Sequence, residues 1–291
     1  MTPQRVLITG GGGQLASDLE EHLRAAGAEV RAPRHAELDI ADDAALERVF
    51  AEAEPDAVFN CAAFHNVDVC EREDRTAWEV NVRAVRRLAE LADQRDARLV
   101  HLSTNYVFDG RREEPYGEHD APNPRSIYAL TKLAGEYAAL TYASDALVVR
   151  GAGLYGMHGS ASKGGNFVQR MSTRAREQGS LKMVADQRLQ PTFTADLAGA
   201  ILAALDRDAS GVLHLTADGA CSWYEFTLAI LEIAGIDAPV EPVETTVPPG
   251  SPDRPRNGVL ARPRADEAGV PPLRPWREAL EDYMSRAGLA A

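Results

Sequence analysis

The sequence predicts an α/β protein: a doubly wound parallel sheet with a smaller C-terminal α/β substrate lobe. Three observations carry this. Short apolar runs alternate with helical patterns through the first half of the chain, a run of four glycines at Gly10-Gly11-Gly12-Gly13 separates the first apolar run from the first helix, and the rhythm loosens after Arg150. Strands that alternate with helices pair in parallel through crossovers, which buries the sheet on both faces.

Arg5 to Thr9 reads as a buried strand, and Gln14 to Ala26 as a helix with Leu15, Leu19 and Leu23 at helical spacing. A strand over Glu29 to Ala32 and a helix over Ala44 to Glu52 follow, then a strand over Ala57 to Cys61 and one long helix from Thr76 to Asp93. The strand Arg98 to Ser103, the helix Tyr128 to Tyr142 and the strand Ala146 to Arg150 complete the series. Residues 1–150 are thus expected to bind a dinucleotide, and residues 151–291 to form mainly a substrate-binding lobe, with returns to the main sheet left open.

In that second half a glycine-rich stretch, Gly151 to Gly165, precedes a helix from Phe167. Leu181 to Val184 and Val212 to Leu215 are short apolar runs, and Thr194 to Leu205 and Trp223 to Ala234 are helical. Pro239 to Pro255 is proline-rich and expected to be extended, and a last helix lies around Trp276 to Met284.

Composition narrows the partners. The 291 residues are 45% apolar, enough for a full core, and 31 Lys and Arg against 44 Asp and Glu leave a net charge of −13. That sign disfavours nucleic acid and anionic membrane as nonspecific partners. No run of about 18 apolar residues is present and the N-terminus lacks the order of a signal peptide, so the expected location is the cytoplasm. The three cysteines, Cys61, Cys70 and Cys221, form no C-x-x-C pair, and no metal-ligand motif is found, so no metal is expected.

The glycine run has the context that gives such a motif meaning. Gly10 would make the tight turn and Gly13 would let the backbone approach a pyrophosphate at the helix N-terminus, where Gln14 and Leu15 begin the helix. An acid about 20 residues on would read a ribose hydroxyl, whereas Arg31 and Arg34 stand there and favour NADPH over NADH; two ordinary surface arginines are the competing reading. Asp39 and Ile40 are placed to contact the adenine, and Cys61, Ala62 and Ala63 end a strand at the ligand-binding edge.

Tyr128 and Lys132 are four apart on a predicted helix and so share one face. Such spacing alone suits a solvated helix equally well. A phenol with a pKa of about 10 becomes a usable proton donor when a cation lowers that value, and Thr104 at the end of the preceding strand offers a hydroxyl to the same place.

A strand-end Ser103-Thr104 followed by Tyr128-x-x-x-Lys132, behind a glycine turn, resembles the extended short-chain dehydrogenase/reductases, built on a Rossmann sheet. Closer likeness, to the dTDP-4-dehydrorhamnose reductase branch, rests on Gly10-x-x-Gly13-Gln14-Leu15 and on Cys61-Ala62-Ala63-Phe64 with Val67-Asp68 and Glu71. It rests also on Ser103 to Gly110, Asn166-Phe167-Val168 with Met171, Asp186-Gln187 with Pro191-Thr192, Ser222 to Phe226, and Arg254-Pro255-x-Asn257.

The resemblance implies hydride transfer from NADPH to C4 of a nucleotide-linked 4-keto-6-deoxyhexose, with Thr104, Tyr128 and Lys132 catalytic and Tyr128 the proton donor. It also places Tyr128 and Lys132 against the cofactor, and Thr104, Asn105, Tyr106, Tyr128, Asn166, Phe167, Gln187, Arg254 and Asn257 against the substrate, while admitting a homodimer. Trp223 and Phe226 are expected to pack the lobe.

The chain departs from the branch at Asn105, where Asp is usual, at Gly151-Ala152-Gly153, where Thr-Ser-Trp is usual, and at His65 and Asn66. Two other outcomes fit the same superfamily. One is an epimerase or dehydratase that retains its cofactor, which Asn105-Tyr106 in place of Asp-Glu disfavours. The other is a non-catalytic cofactor-binding regulatory subunit, which the retained trio disfavours.

Overall fold

In a computed structural model, which describes residues 3–158, 165–248 and 250–291, the apolar runs of the first half become five strands. They are β1 (Arg5–Thr9), β2 (Glu29–Arg31), β3 (Ala57–Asn60), β4 (Arg98–Thr104) and β5 (Ala146–Gly151). Between them run α1 (Gln14–Ala25), α2 (Asp43–Ala53), α3 (Val67–Arg72), α4 (Asp74–Trp78), α5 (Ala84–Asp93) and α6 (Ile127–Tyr142).

The second half contributes β6 (Leu154–Tyr155), α7 (Phe167–Gln178), β7 (Leu181–Val184), β8 (Arg188–Leu189), β9 (Thr192–Phe193) and α8 (Thr194–Leu205). Then come β10 (Gly211–His214), β11 (Cys221–Ser222), α9 (Trp223–Ile233), β12 (Val240–Val243), α10 (Pro263–Glu267) and α11 (Trp276–Arg286).

The main sheet has six parallel strands in the order β10-β5-β4-β3-β1-β2. Strand order reverses between β1 and β3, so the crevice for a ligand opens at the carboxyl ends of those strands. Every residue of β3 and β5 is buried, which is why they read as continuous apolar runs. One face of the sheet packs against α1 and α8 through Leu15, Leu19, Leu197 and Ile201; the other packs against α2, α5 and α6 through Leu46, Phe50, Leu88 and Ala139. A third core, with Tyr155, Phe193, Phe226 and Tyr283, joins α7, α9 and α11 into the lobe.

Several elements differ from the sequence reading or add to it. The long helix expected over Thr76 to Asp93 is interrupted by a π-helical turn, Glu79–Arg83. There α6 comes so close that a Cβ on Gly135 would stand 2.3 Å from the Asn81 carbonyl oxygen. Helix α3 was not anticipated, because six residues are too few to show a period; Asn66 caps it by accepting from the Val69 amide. The apolar run at Val212 is one of the returns to the main sheet that the sequence left open, since β10 pairs in parallel with β5. Within the proline-rich stretch, Val240–Val243 pairs in parallel with β7. Residues 159–164 of the expected glycine-rich stretch, and residue 249, lie outside the described residues.

Candidate active site

The glycine turn leaves β1 with Gly10 at φ +76°, where a Cβ would stand 2.9 Å from the Ala62 amide nitrogen. No larger residue fits that approach. Gly13 begins α1 with no side-chain cap, so the first amides of the helix lack side-chain partners, and Gln14 Oε1 is buried without a donor. An uncapped helix start beside an orphaned acceptor, with no Cβ to fill the approach, fits a dinucleotide. Leu15 is different: its side chain is in the core, so only its backbone can face a ligand.

The two arginines after β2 separate. Arg31 is engaged with Glu52 at 2.7 Å, whereas Arg34 lies along the glycine turn, its Nε 3.6 Å from where a Cβ on Gly12 would stand. Arg34 therefore replaces Arg31 as the arginine beside the glycines. Asp39 uses its carboxylate to accept from the Ala41 amide, and the Ile40 side chain is buried against α2. Cys61 is half-buried at the end of β3; burial pushes its thiol up to about 12, with Lys132 acting the other way. Ala62 lies against Gly10, and the Ala63 carbonyl takes a ring nitrogen of His65 at 3.3 Å.

Thr104 ends β4, and its Oγ1 accepts from the Tyr106 amide at 3.2 Å. Tyr128 sits in the first turn of α6, where Ser126 caps the helix and Glu71 of α3 accepts from the Ile127 amide. Its phenol is buried near Thr104, and Tyr106 meets it edge to face at 5.7 Å.

The expected lowering of the phenol by Lys132 is not what the structure has. Burial raises Tyr128, with Thr104 opposing, while Lys132 donates to the Leu102 carbonyl at 2.6 Å and faces His101 Nε2 at 3.4 Å. Lys132 is only 3% exposed, and burial pulls it down to about 8 against the opposing pull of Glu136 and Cys61. The pair is a protonated phenol above a buried amine.

Supporting residues that the sequence reading missed surround this trio. Asn81 accepts from the Phe64 amide and donates to the Phe64 carbonyl and to Thr131 Oγ1, locking the loop after β3 onto α6. Glu136, one turn beyond Lys132, accepts from Nε and Nη2 of Arg150 and also from the Ser103 hydroxyl. Both members of that ion pair are buried. Their signal was a polar residue in an otherwise apolar strand or helix face.

The expected substrate contacts fall into two groups. Tyr106 and Arg254 reach the cleft: Arg254 pairs with Asp68 of α3 at 2.8 Å, and the Tyr106 phenol is raised by burial, with Arg254 opposing. Apart from Thr104 and Tyr128, described above, the others meet partners within the protein itself. Asn105 donates to the Gly258 carbonyl at 2.8 Å. Asn166 caps α7 and donates to the Gly156 carbonyl and the Tyr283 hydroxyl. Asn257 donates to the carbonyls of Arg112, Glu113 and Glu114. Gln187 donates to Thr245 Oγ1, and Phe167 stacks on Phe226 beside Trp223, which fills the lobe core as expected. Each of these side chains thus has a structural partner, as buried polar groups require, and a contact with substrate would come in addition to it.

Folds that seat a dinucleotide where strand order reverses, and bring a Tyr-x-x-x-Lys helix to the same edge, make up one class: the extended short-chain dehydrogenase/reductases. Within that class, residues 4–288 match the family model described as RmlD substrate binding domain, and the chain belongs to this family.

It is 39% identical over 285 residues to the dTDP-4-dehydrorhamnose reductase of Mycolicibacterium smegmatis (strain ATCC 700084 / mc(2)155), covering 97% of this chain and 85% of that protein. It is 38% identical to the dTDP-4-keto-6-deoxy-D-glucose reductase of Streptomyces niveus, covering 95% of each. The solved structure of dTDP-4-dehydrorhamnose reductase from Bacillus anthracis str. Ames, in complex with NADP, superposes with a TM-score of 0.92 at 32% identity, covering 97% of this chain and 99% of that one.

Proposed function

We propose that the protein is a cytoplasmic reductase that uses NADPH to reduce the C4 ketone of a dTDP-linked 4-keto-6-deoxyhexose, dTDP-4-dehydrorhamnose or a close relative. The observation that carries this reading is the gathering of Thr104 at the end of β4, Tyr128 in the first turn of α6 and the buried Lys132 one turn on, at the sheet edge that also holds the glycine turn. The named activities of the relatives support the same reaction. Among the described residues no helix is long and apolar enough to cross a membrane.

Bound NADPH supplies the hydride that adds to C4. The chain's own task is the other half of the reaction: to hold the ketone oxygen and give it a proton as negative charge develops there. Tyr128 gives that proton, and its burial keeps the phenol protonated until the oxygen becomes basic enough to take it. The Tyr106 amide donates to Thr104 Oγ1, and the Thr104 hydroxyl, which faces Asn105 Oδ1 at 3.4 Å, would turn its proton from that long contact to the same oxygen. Leu102 and His101 engage two of the three donors of the Lys132 ammonium, which leaves the third for the nicotinamide ribose.

Around this centre Arg34 would meet the cofactor's extra phosphate, and Arg254 would exchange Asp68 for the sugar diphosphate.

Incubation with NADPH and a panel of nucleotide-linked 4-keto-6-deoxysugars, following absorbance at the NADPH band and the stereochemistry of the product, tests the reading. Stoichiometric NADPH oxidation with a dTDP-sugar is expected. No oxidation with any member of the panel would overturn it.

A further inference from the structure

Three buried polar side chains stand in one row across the sheet. Thr9 of β1 is the register partner of Asn60 in β3, and Asn60 is the register partner of His101 in β4. Each lies two residues beyond an apolar residue, Leu7, Val58 or Leu99, of the core under α5 and α6, so all three point to that same face. None is more than 1% exposed. At the end of the row is Lys132 Nζ, 3.4 Å from His101 Nε2.

The row has a proton order that can be worked out. Thr9 Oγ1 lies 2.7 Å from Asn60 Oδ1, and Asn60 Nδ2 lies 3.0 Å from His101 Nδ1. In that orientation the amide donates to Nδ1, which leaves the imidazole proton on Nε2, pointing at an ammonium that also donates. Turning the amide of Asn60 by half a rotation keeps the heavy atoms in place and removes the conflict. Asn60 Nδ2 then donates to Thr9, His101 Nδ1 donates to Asn60 Oδ1, and bare Nε2 accepts from Lys132.

We propose that His101 is a positioning residue for Lys132, held by Asn60 and Thr9 in the Nδ1-protonated form so that its Nε2 accepts a hydrogen bond from the ammonium. This rests on the reading of Lys132 as the cofactor-side cation of a reductase. The imidazole stays neutral because burial, and then the charge of Lys132, hold it well below its usual range. The other groups facing Lys132 do not compete for His101. Glu136, on its own helix, is taken by Arg150 of β5 and Ser103 of β4, and Cys61, at the end of β3, keeps its thiol proton. Without His101 the ammonium has the Leu102 carbonyl as its one remaining acceptor at this end, and the side chain regains rotamers that point away from the ribose.

Nitrogen NMR of the protein labelled with 15N-histidine tests the proposal without turnover. At neutral pH His101 is expected to carry its proton on Nδ1, with Nε2 bare, and Asn60→Leu is expected to move that proton to Nε2. In kinetics, His101→Leu should raise KM for NADPH and lower kcat, together costing about tenfold in kcat/KM, while His101→Gln, which keeps an acceptor, should recover most of it. Melting temperature is followed in each variant.

An Nε2-protonated His101 in the wild-type protein overturns the proposal, and so does a folded His101→Leu variant within twofold of wild type in both constants. Normal turnover by Lys132→Ala would instead remove the role assigned to the amine, and the histidine resonances would still report the hydrogen-bond order of the row.

Discussion

The sheet half and the lobe half of this molecule use buried polar residues in opposite ways. At the sheet edge, Thr104 accepts from the Tyr106 amide and Lys132 donates to the Leu102 carbonyl, and in the proposed reaction both keep a further hydrogen bond for a ligand. In the lobe, Asn166 and Asn257 spend their amides on backbone carbonyls and on Tyr283, and neither has a donor left over. Both kinds of residue belong to motifs shared with reductases. A motif residue can therefore serve either the reaction or the frame, and its hydrogen-bond partners distinguish the two.

Substitutions can break this contrast, beginning with the largest effect. Tyr128→Phe should lose about a hundredfold or more of kcat in the NADPH oxidation assay while retaining cofactor binding by fluorescence, as expected for removal of a general acid. Wild-type turnover should decline as pH rises through about 8, because Lys132, brought down to about 8 from 10.5, is charged below that point and neutral above it. A flat rate profile from pH 7 to about 10 would contradict a role for the ammonium.

Arg34→Ala should weaken NADPH by about tenfold and leave NADH nearly unchanged, measured as the ratio of the two KM values, whereas Arg31→Ala should change neither. Smallest in rate are Asn166→Ala and Asn257→Ala, which should leave KM for the sugar within twofold but cost about 1–2 kcal/mol in chemical denaturation, as lost caps and buried hydrogen bonds do. A large KM effect from either would return it to the substrate site.

The sequence made the sheet legible because its strands are uniformly apolar and its helices periodic. The proposed trio came from the family resemblance, since the spacing of Tyr128 and Lys132 alone suits a solvated helix equally well. What stayed hidden depends on distance in space. Asn60, His101 and Asn81 come together only when β3, β4, the π-helical turn and α6 pack, and nothing local marks an Asn or a His in an apolar run as a partner of a lysine elsewhere. Arg31 and Arg34 could not be told apart by spacing, because the discrimination lies in Glu52, on the next helix. The direction of the Tyr128 shift was missed for the same reason: burial depth is a tertiary quantity, and here it outweighs the nearby cation.

The sixth strand carries one further consequence. Because β10 pairs with β5 across some sixty residues of intervening chain, the edge of β5 has no neighbour until Gly211–His214 has been synthesised. The apolar surface that α8 covers is open for almost as long. During synthesis the cofactor half therefore exists for a time as a five-stranded sheet with an adhesive border, and a fragment ending near residue 150 would keep that border permanently. The second half of the chain therefore completes the sheet that the first half begins.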